Sequence, residues 1–556
     1  MPNFKLIKDI SSKKIWSILF IAYIVIFNIP GYFLANNLNY LDILLAWLIN
    51  LLMFCSVSGI YLFLKKTAGR YFLIFLFIFS LIPNLTVFSY LCISNSHMFN
   101  DMFWVIFGSN VSETNEYFDG AMSIPVLVGQ IAYTIAAIFL LYKSLREKSS
   151  LHLKFKQHKI FFIVLLLFPS LITPFENITK FVGPIDFYKS GINYLNESRK
   201  MEKEILSRKN TSMEISCNLS SKNNTFVVII GESLSRNHMG LYGYSRPTTP
   251  ILESIKEDIH VYSDVVSPHT HTIAVLKQAL TFADYDHPEY YLLKPSVIGI
   301  FNDAGFKTHW ITTQPLTEKW GNSYGFIAKE SDQVYNLSKT KQYDEVVLPC
   351  IDRILEENTE GNKIIFVHLM GSHNMYRSRY PAEYDVFNQK DYPVPDKPYL
   401  NDKKKKIIDE YDNSVLYSDF VVSSIIKKMQ DREDESSAVL FFSDHAEEVY
   451  DFRDVVGHYI QGVTTYQCEI PFIFWGSENY LSEKQDIVIH KDRPFGLVNL
   501  IHSLSDLAGL QYKDYTPEKS IFNEKFVPQK RMVEDKTYEE VVRNTNMWKK
   551  DKIKTY

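Results

Sequence analysis

Apolar residues fall along this chain in two rhythms. Over roughly the first third they form long, nearly unbroken runs; afterwards they come as short runs between stretches with helical spacing. A helix needs about 20 apolar residues to cross the hydrocarbon of a bilayer. Five segments reach or approach that length: Trp16–Leu34, Leu41–Leu64, Tyr71–Ile93, Ile124–Tyr142 and Ile160–Phe175. The fifth is short and contains Pro169 and Pro174, so a buried core helix is its competing reading. The first is too long for a cleaved signal peptide, and no small-x-small site follows it.

Lys and Arg in short loops set orientation. Lys5, Lys8, Lys13 and Lys14 precede the first segment. Lys65, Lys66 and Arg70 lie between the second and third, and Lys143, Arg146, Lys148, Lys154, Lys156 and Lys159 between the fourth and fifth. The loops 36–40 and 94–123 have neither residue. Every basic loop thus falls on one side, the N-terminus is expected in the cytoplasm, and five crossings place all that follows Phe175 on the opposite face. The run from Met98 to Phe107 reads equally as an interfacial helix or as an apolar contact with the soluble part.

Residues 176–224 form a polar connector with helical stretches such as Arg199–Ser207. Beyond it, Phe226–Ile230, Thr308–Ile311, Ile364–Leu369, Ala438–Phe442 and Ile470–Trp475 read as buried parallel strands. Ser296–Ala304, Glu345–Glu356 and Lys405–Met429 read as helices between them. The expected architecture is an α-helical membrane bundle over 1–175, a linker over 176–224 and an α/β catalytic domain over 225–556 with a mostly parallel central sheet. Ligands in such folds sit beyond the carboxyl ends of the strands.

Whole-chain averages add little. The mean hydropathy of −0.10 merges two unlike halves, and a net charge of −4 over 556 residues gives no footprint for nucleic acid. The five cysteines show no CxxC spacing, which argues against a cysteine zinc site; Cys217, Cys350 and Cys468, outside the membrane part, leave room for one disulfide.

Glu232 follows the first strand, His373 the third, and Asp444 and His445 the fourth, so these groups share one rim. Taken alone, Asp444 and His445 are a polar turn; together with Glu232 they supply oxygen and nitrogen donors for a zinc-like ion. The fourth position then belongs to a hydroxyl, which a metal activates as a nucleophile. Thr272 precedes the helical run Ile273–Leu280, where a helix N-terminus favours a phosphate. Threonine is also an ordinary N-cap there, and residue type alone does not separate Thr272 from Thr270, Ser267 or Ser233. His373 and His458 follow strand-like segments and suit phosphate binding, proton delivery or a second metal. His368, inside an apolar run, reads as a satisfied core histidine, and Lys403–Lys406 as a solvated charge run.

Gly231-Glu232-Ser233, Arg236-Asn237-His238, Leu241-Tyr242-Gly243-Tyr244 and Arg246-Pro247-Thr248-Thr249-Pro250 resemble the opening motif of bacterial phosphoethanolamine transferases. These belong to the sulfatase and alkaline-phosphatase superfamily. His368-Leu369-Met370-Gly371-Ser372-His373, Tyr411-Asp412-Asn413 and Ser443-Asp444-His445 continue the resemblance in order. It implies an inner-membrane enzyme with five transmembrane helices and a sulfatase-like periplasmic domain. Glu232, Thr272, Asp444 and His445 would be zinc ligands, with Thr272 the residue that becomes modified. His373, His458 and Glu447 would lie near the substrate phosphate or a second zinc. The implied donor is phosphatidylethanolamine, a membrane lipid, and the implied acceptor a lipopolysaccharide, at a core sugar or lipid A. Two departures stand out: few cysteines, and Ala446 where the family has glycine. The stretch Trp310–Gln314 is similar to the branch acting on lipopolysaccharide core sugars. Two alternatives fit the same residues: a glycerol-phosphate transferase or phosphodiesterase of the superfamily, using manganese, and a membrane sensor that only binds a phosphorylated ligand.

Overall fold

The computed structural model describes residues 14–26, 40–94, 124–147, 163, 167, 181–208, 213–219, 221 and 223–555, with short gaps at 317–322, 340–341, 358–359, 433–434 and 459–461. It divides into two compact units, Met1–Glu197 and Ser198–Tyr556.

In the first unit the apolar runs form helices α1 (Ile15–Ile26), α2 (Tyr40–Phe63), α3 (Lys66–Ser94) and α4 (Ile124–Leu145). Among the described residues, three are long and apolar enough to cross a membrane, over Ile43–Phe63, Lys66–Ser89 and Val126–Leu145; α1 is shorter. The rest of the first expected segment, the fifth segment and the Met98–Phe107 run lie outside the described residues. Leu44, Ile78 and Ile135 are 64%, 68% and 63% exposed, an outward apolar face suited to lipid. Polar side chains are turned inward instead. Asn84 Nδ2 donates to Ile24 O and Tyr133 Oη, both at 2.9 Å, and so joins α1, α3 and α4. Inside a bilayer such a side chain needs partners on neighbouring helices. Helix α5 (Gly183–Arg208) runs through the boundary between the units; the helical stretch expected at Arg199–Ser207 is its last third.

The second unit is built on a seven-stranded sheet. Its strands are β1 (Asn224–Gly231), β2 (His260–Val261), β3 (Lys307–Thr312), β4 (Gln333–Asn336), β5 (Lys363–His368), β6 (Ser436–Ser443) and β7 (Phe472–Gly476), in the order β2-β7-β6-β1-β5-β3-β4. β1, β5 and β6 are buried along their whole length, which is why they read as continuous apolar runs rather than alternating ones. The unit's helices include α6 (Pro250–Ser254), α7 (Thr272–Ala279), α8 (Val297–Asp303), α9 (Val347–Glu356), α10 (Asp402–Gln430), α11 (Leu500–Leu507) and α12 (Tyr538–Thr555).

One strand departs from expectation. β7 pairs antiparallel with β6 and with β2, whereas β4, β3, β5, β1 and β6 are parallel. Among its described residues the chain between Asp444 and β7 has a four-residue helix, Thr465–Cys468, and two-residue strands, with no long helix to carry it back across the sheet. A parallel strand needs such a crossover, so the next strand returns in reverse. Among the described residues Cys55, Cys217, Cys350 and Cys468 are all free.

Candidate active site

The register of the central strands assembles the site. Gly231 on β1 lies opposite Ser443 on β6, and Ile230 lies opposite His368 on β5. The chain leaves the sheet at these points, so Glu232 and Asp444 emerge side by side. Glu232, Asp444 and His445 bring one ligand atom each to within 4.8 Å of one another, and all three are about 1% exposed or less. His445 Nε2 lies 3.3 Å from Glu232 Oε1 and 3.6 Å from Asp444 Oδ2.

The turn after β1 is held in an uncommon shape. Ser233 has φ of 55°, a left-handed conformation that costs a non-glycine residue energy and persists where its surroundings enforce it. Here its N–H donates to Asp444 Oδ1 at 3.2 Å, its hydroxyl to Glu232 Oε1 at 2.8 Å, and its carbonyl accepts from Tyr411 Oη at 2.7 Å. Gly371, at φ 52°, presses on the same turn: a Cβ there would stand 2.8 Å from Glu232 N and O. Buried Asp344 fixes this glycine by accepting the N–H groups of Met370 and Gly371, at 3.0 and 2.8 Å.

Thr272 is the first residue of α7; the N-cap is His271, so capping is not the role of the threonine. Its Oγ1 donates to Glu232 Oε2 at 2.8 Å, which sets it against the carboxylate cluster. Among the alternatives, Ser267 Oγ donates to His269 O and Thr270 Oγ1 to Glu534; both are engaged outside that cluster, while Ser233 bonds Glu232 from its own turn. Glu447 and His458 make a second group with His445. His458 Nδ1 is 2.8 Å from Glu447 Oε2, and Tyr376 Oη donates to Glu447 Oε1 at 2.8 Å. The rings of His445 and His458 are 4.4 Å apart. His373 belongs to neither group, yet its charge acts on Glu232.

The charges balance only while Asp444 holds a proton. Burial opposes ionisation of Glu232, but the hydrogen bond and charge of His445, with His373 beside them, hold its carboxyl well below the usual range. Asp444 is pushed up to about 8 by burial and by the charge of Glu232. Burial opposes a charge on His445 too, but Asp444 and Glu232 outweigh it and raise the imidazole to about 10. Asp444 Oδ2 is buried with no hydrogen-bond partner. An unpaired acceptor oxygen in a buried, anion-rich cluster is costly unless a cation meets it. The donor set of two carboxylates and one imidazole, with a hydroxyl beside them, therefore fits a divalent ion such as zinc.

Two residues at the site had no prior role. Gln314 Nε2 donates to Glu232 Oε2 at 2.9 Å and to Leu369 O at 3.2 Å. Glu534 lies in a hairpin of β8 (Met532–Val533) and β9 (Lys536–Thr537) and has φ of 54°. It accepts from Thr270 N and Thr270 Oγ1, at 2.9 and 3.2 Å, and its carboxylate is 2.9 Å from His269 Nδ1. Its own N–H donates to Pro268 O at 2.9 Å. One glutamate thus fastens the three residues that lead into His271 and Thr272. His368 is a buried core histidine as expected, but not a satisfied one: both ring nitrogens lack a hydrogen bond, and burial lowers its pKa to about 4.

Residues 224–510 match the sequence model of the family described as Sulfatase, so the second unit is a sulfatase-type domain. The phosphoethanolamine transferase EptC of Escherichia coli is 31% identical over 474 residues, covering 80% of this chain and 81% of that protein. The crystal structure of the C-terminal periplasmic domain of EptC from Escherichia coli, in complex with zinc, shares 34% identity at a TM-score of 0.54; it covers 58% of this chain and 92% of that domain. The integral membrane lipooligosaccharide phosphoethanolamine transferase A from Neisseria meningitidis has the same fold over 91% of this chain and 98% of its own, at a TM-score of 0.60 and 18% identity. The chain belongs to the phosphoethanolamine transferases of the sulfatase family. It is a membrane protein and a transferase, not a sensor or a glycerol-phosphate enzyme.

Proposed function

We propose that Thr272 takes phosphoethanolamine from phosphatidylethanolamine and passes it to a hydroxyl of lipopolysaccharide. The observation that carries this reading is the 2.8 Å hydrogen bond from Thr272 Oγ1 to Glu232 Oε2, beside the cluster of Glu232, Asp444 and His445. The Thr272 oxygen–phosphorus bond forms as the bond from phosphorus to the diacylglycerol oxygen breaks. The threonine gives its proton to its hydrogen-bond acceptor, Glu232 Oε2, and the diacylglycerol oxygen gains one, a role we assign to His373. In the second half the acceptor hydroxyl displaces Thr272 from phosphorus, and the threonine regains its proton.

Glu232, Asp444 and His445, completed by Thr272, would hold one zinc ion; Glu447 and His458, beside His445, would offer ligands to a second. Bound zinc lowers the pKa of a hydroxyl in contact with it and offsets charge on phosphoryl oxygens. The zinc complex of the related domain supports zinc over manganese, as does the imidazole in the donor set. The basic loops support an N-terminus in the cytoplasm and a catalytic unit in the periplasm, in keeping with the periplasmic domain named in the relative. A lipid donor explains why a soluble-type active site is joined to apolar helices.

The test is peptide mass spectrometry of zinc-loaded protein after incubation with phosphatidylethanolamine. A phosphoethanolamine adduct on the Thr272 peptide is expected. An unmodified peptide together with continued transfer in Thr272→Ala would remove the assignment.

A further inference from the structure

A second cleft opens on the catalytic unit, a cavity of about 260 Å³ that shares no residue with the two carboxylate–histidine groups. Its walls include Lys294, Lys513, Lys519 and His502. Lys294 is held in place: its ammonium lies 5.2 Å from the Phe282 ring centre and 4.2 Å from that of Tyr290, and pairs with Asp514 at 2.9 Å. Lys513 and Lys519 enter no ion pair among the described residues. His502 is 4% exposed, and its Nδ1 accepts the Thr516 N–H at 3.2 Å. The ring proton therefore sits on Nε2, the one donor His502 retains for the cleft it lines. Burial, with Lys519 and Lys294 nearby, keeps this imidazole neutral down to about pH 3.

Two uncommitted ammonium groups and a fixed neutral N–H donor make an anion site of the kind that takes a phosphate. The aromatic and polar walls around them, with Phe282, Tyr290 and Asn499, suit a sugar ring better than a bare ion. The cleft is also tied to the nucleophile. Phe282 follows α7 by three residues, and Leu497–Asn499, which supplies Asn499 to the cleft, packs against the same helix. An eight-residue helix rises about 12 Å, so a short oligosaccharide spans the distance from this cleft to Thr272.

We propose that this cleft binds a phosphorylated sugar of the acceptor and so selects the glycan whose hydroxyl reaches Thr272. The proposal rests on the transfer reaction proposed above. The experiment uses full-length protein in micelles, titrated with glucose 6-phosphate, inorganic phosphate and glucose. Wild type is compared with Lys513→Ala/Lys519→Ala and with His502→Asn, which keeps an acceptor for Thr516. Glucose 6-phosphate is expected to bind more tightly than either other probe. Both variants should weaken it about tenfold or more, the effect of losing a charge-assisted bond. The KM for a phosphorylated acceptor should rise in step, while the rate of adduct formation on Thr272 stays unchanged. Equal binding by wild type and variants overturns the proposal. So does inorganic phosphate binding as tightly as glucose 6-phosphate, which assigns the cleft to the free anion, and so does an unaltered acceptor KM. If wild type forms no adduct, the transfer reading fails instead, and the titration still decides the cleft.

Discussion

Two of the buried histidine–carboxylate clusters in the catalytic unit are built from neighbouring segments of chain. In one, His238 Nδ1 meets Asp412 Oδ1 at 2.7 Å and Nε2 meets Asp451 Oδ1 at 3.2 Å, while Arg246 pairs with Asp412 and Asp409 at 2.7 Å each. Tyr244 Oη adds a bond to Asp412 at 2.9 Å. In the other, Glu232 and Asp444 face His445, and Asp444 Oδ2 has no partner. In the first cluster both oxygens of Asp412 meet donors, although Arg246 Nε has no hydrogen-bond partner. In the second a carboxylate oxygen is left open, and a nucleophilic hydroxyl stands at its edge. Both clusters are buried, so what separates a scaffold from a reaction centre here is the open carboxylate oxygen beside that hydroxyl.

The sharpest way to break the comparison is at the hydroxyl. Thr272→Ala should reduce phosphoethanolamine transfer by roughly a thousandfold or more, with unchanged melting and retained zinc, measured by transfer assay, thermal unfolding and metal analysis. Next come the two aspartates. Asp412→Ala leaves Arg246 with Asp409 alone and His238 with Asp451 alone, and should cost up to about 3–5 kcal/mol of stability, read from urea midpoints. Asp444→Asn removes a buried carboxyl. Metal-free protein should then be at least as stable as wild type, while zinc no longer raises its midpoint. If the two aspartates behave alike, the distinction fails. Glu534→Gln tests the loop before the nucleophile. Misplacing Thr272 slightly should lower kcat roughly tenfold to a hundredfold, with zinc content intact.

The smallest effect is a pH slope. His238 is raised to about 10: burial opposes its charge, but Asp451 and Asp412 outweigh it. A histidine whose folded pKa lies above its unfolded value gives stability that is complete below about 6.5 and is lost as pH rises through about 10. Urea midpoints should fall across that window, with a slope of at most about 1.4 kcal/mol per pH unit. His238→Gln should flatten the curve.

Much of this site is legible from strand ends. Glu232, Asp444 and His445 each follow a fully buried apolar run, and such runs stop where the sheet stops. The direction of β7 was not legible, because an apolar run has no polarity; the short connection after Asp444 sets it. Gln314 reaches Glu232 only because β3 ends in register with β5, which pairing decides and local pattern does not. Glu534 lies 264 positions from Thr270 in a hairpin whose sequence reads as an ordinary polar turn. The residues around Asp412 belonged to the resemblance as motif, but their pairing emerges only once Arg246 and His238 meet that helix.

The pairing of Gly231 with Ser443 also dictates an order of events. Ser233 and Asp444 are 211 positions apart, and their contact closes a loop holding most of the domain. Such long-range pairings form late and slowly. A chain that has just released β1 therefore offers Glu232 alone, a poor trap for any ion. The full chelate appears only when β6 docks, so metal capture reports completed folding, and a chain stalled short of that point stays inert.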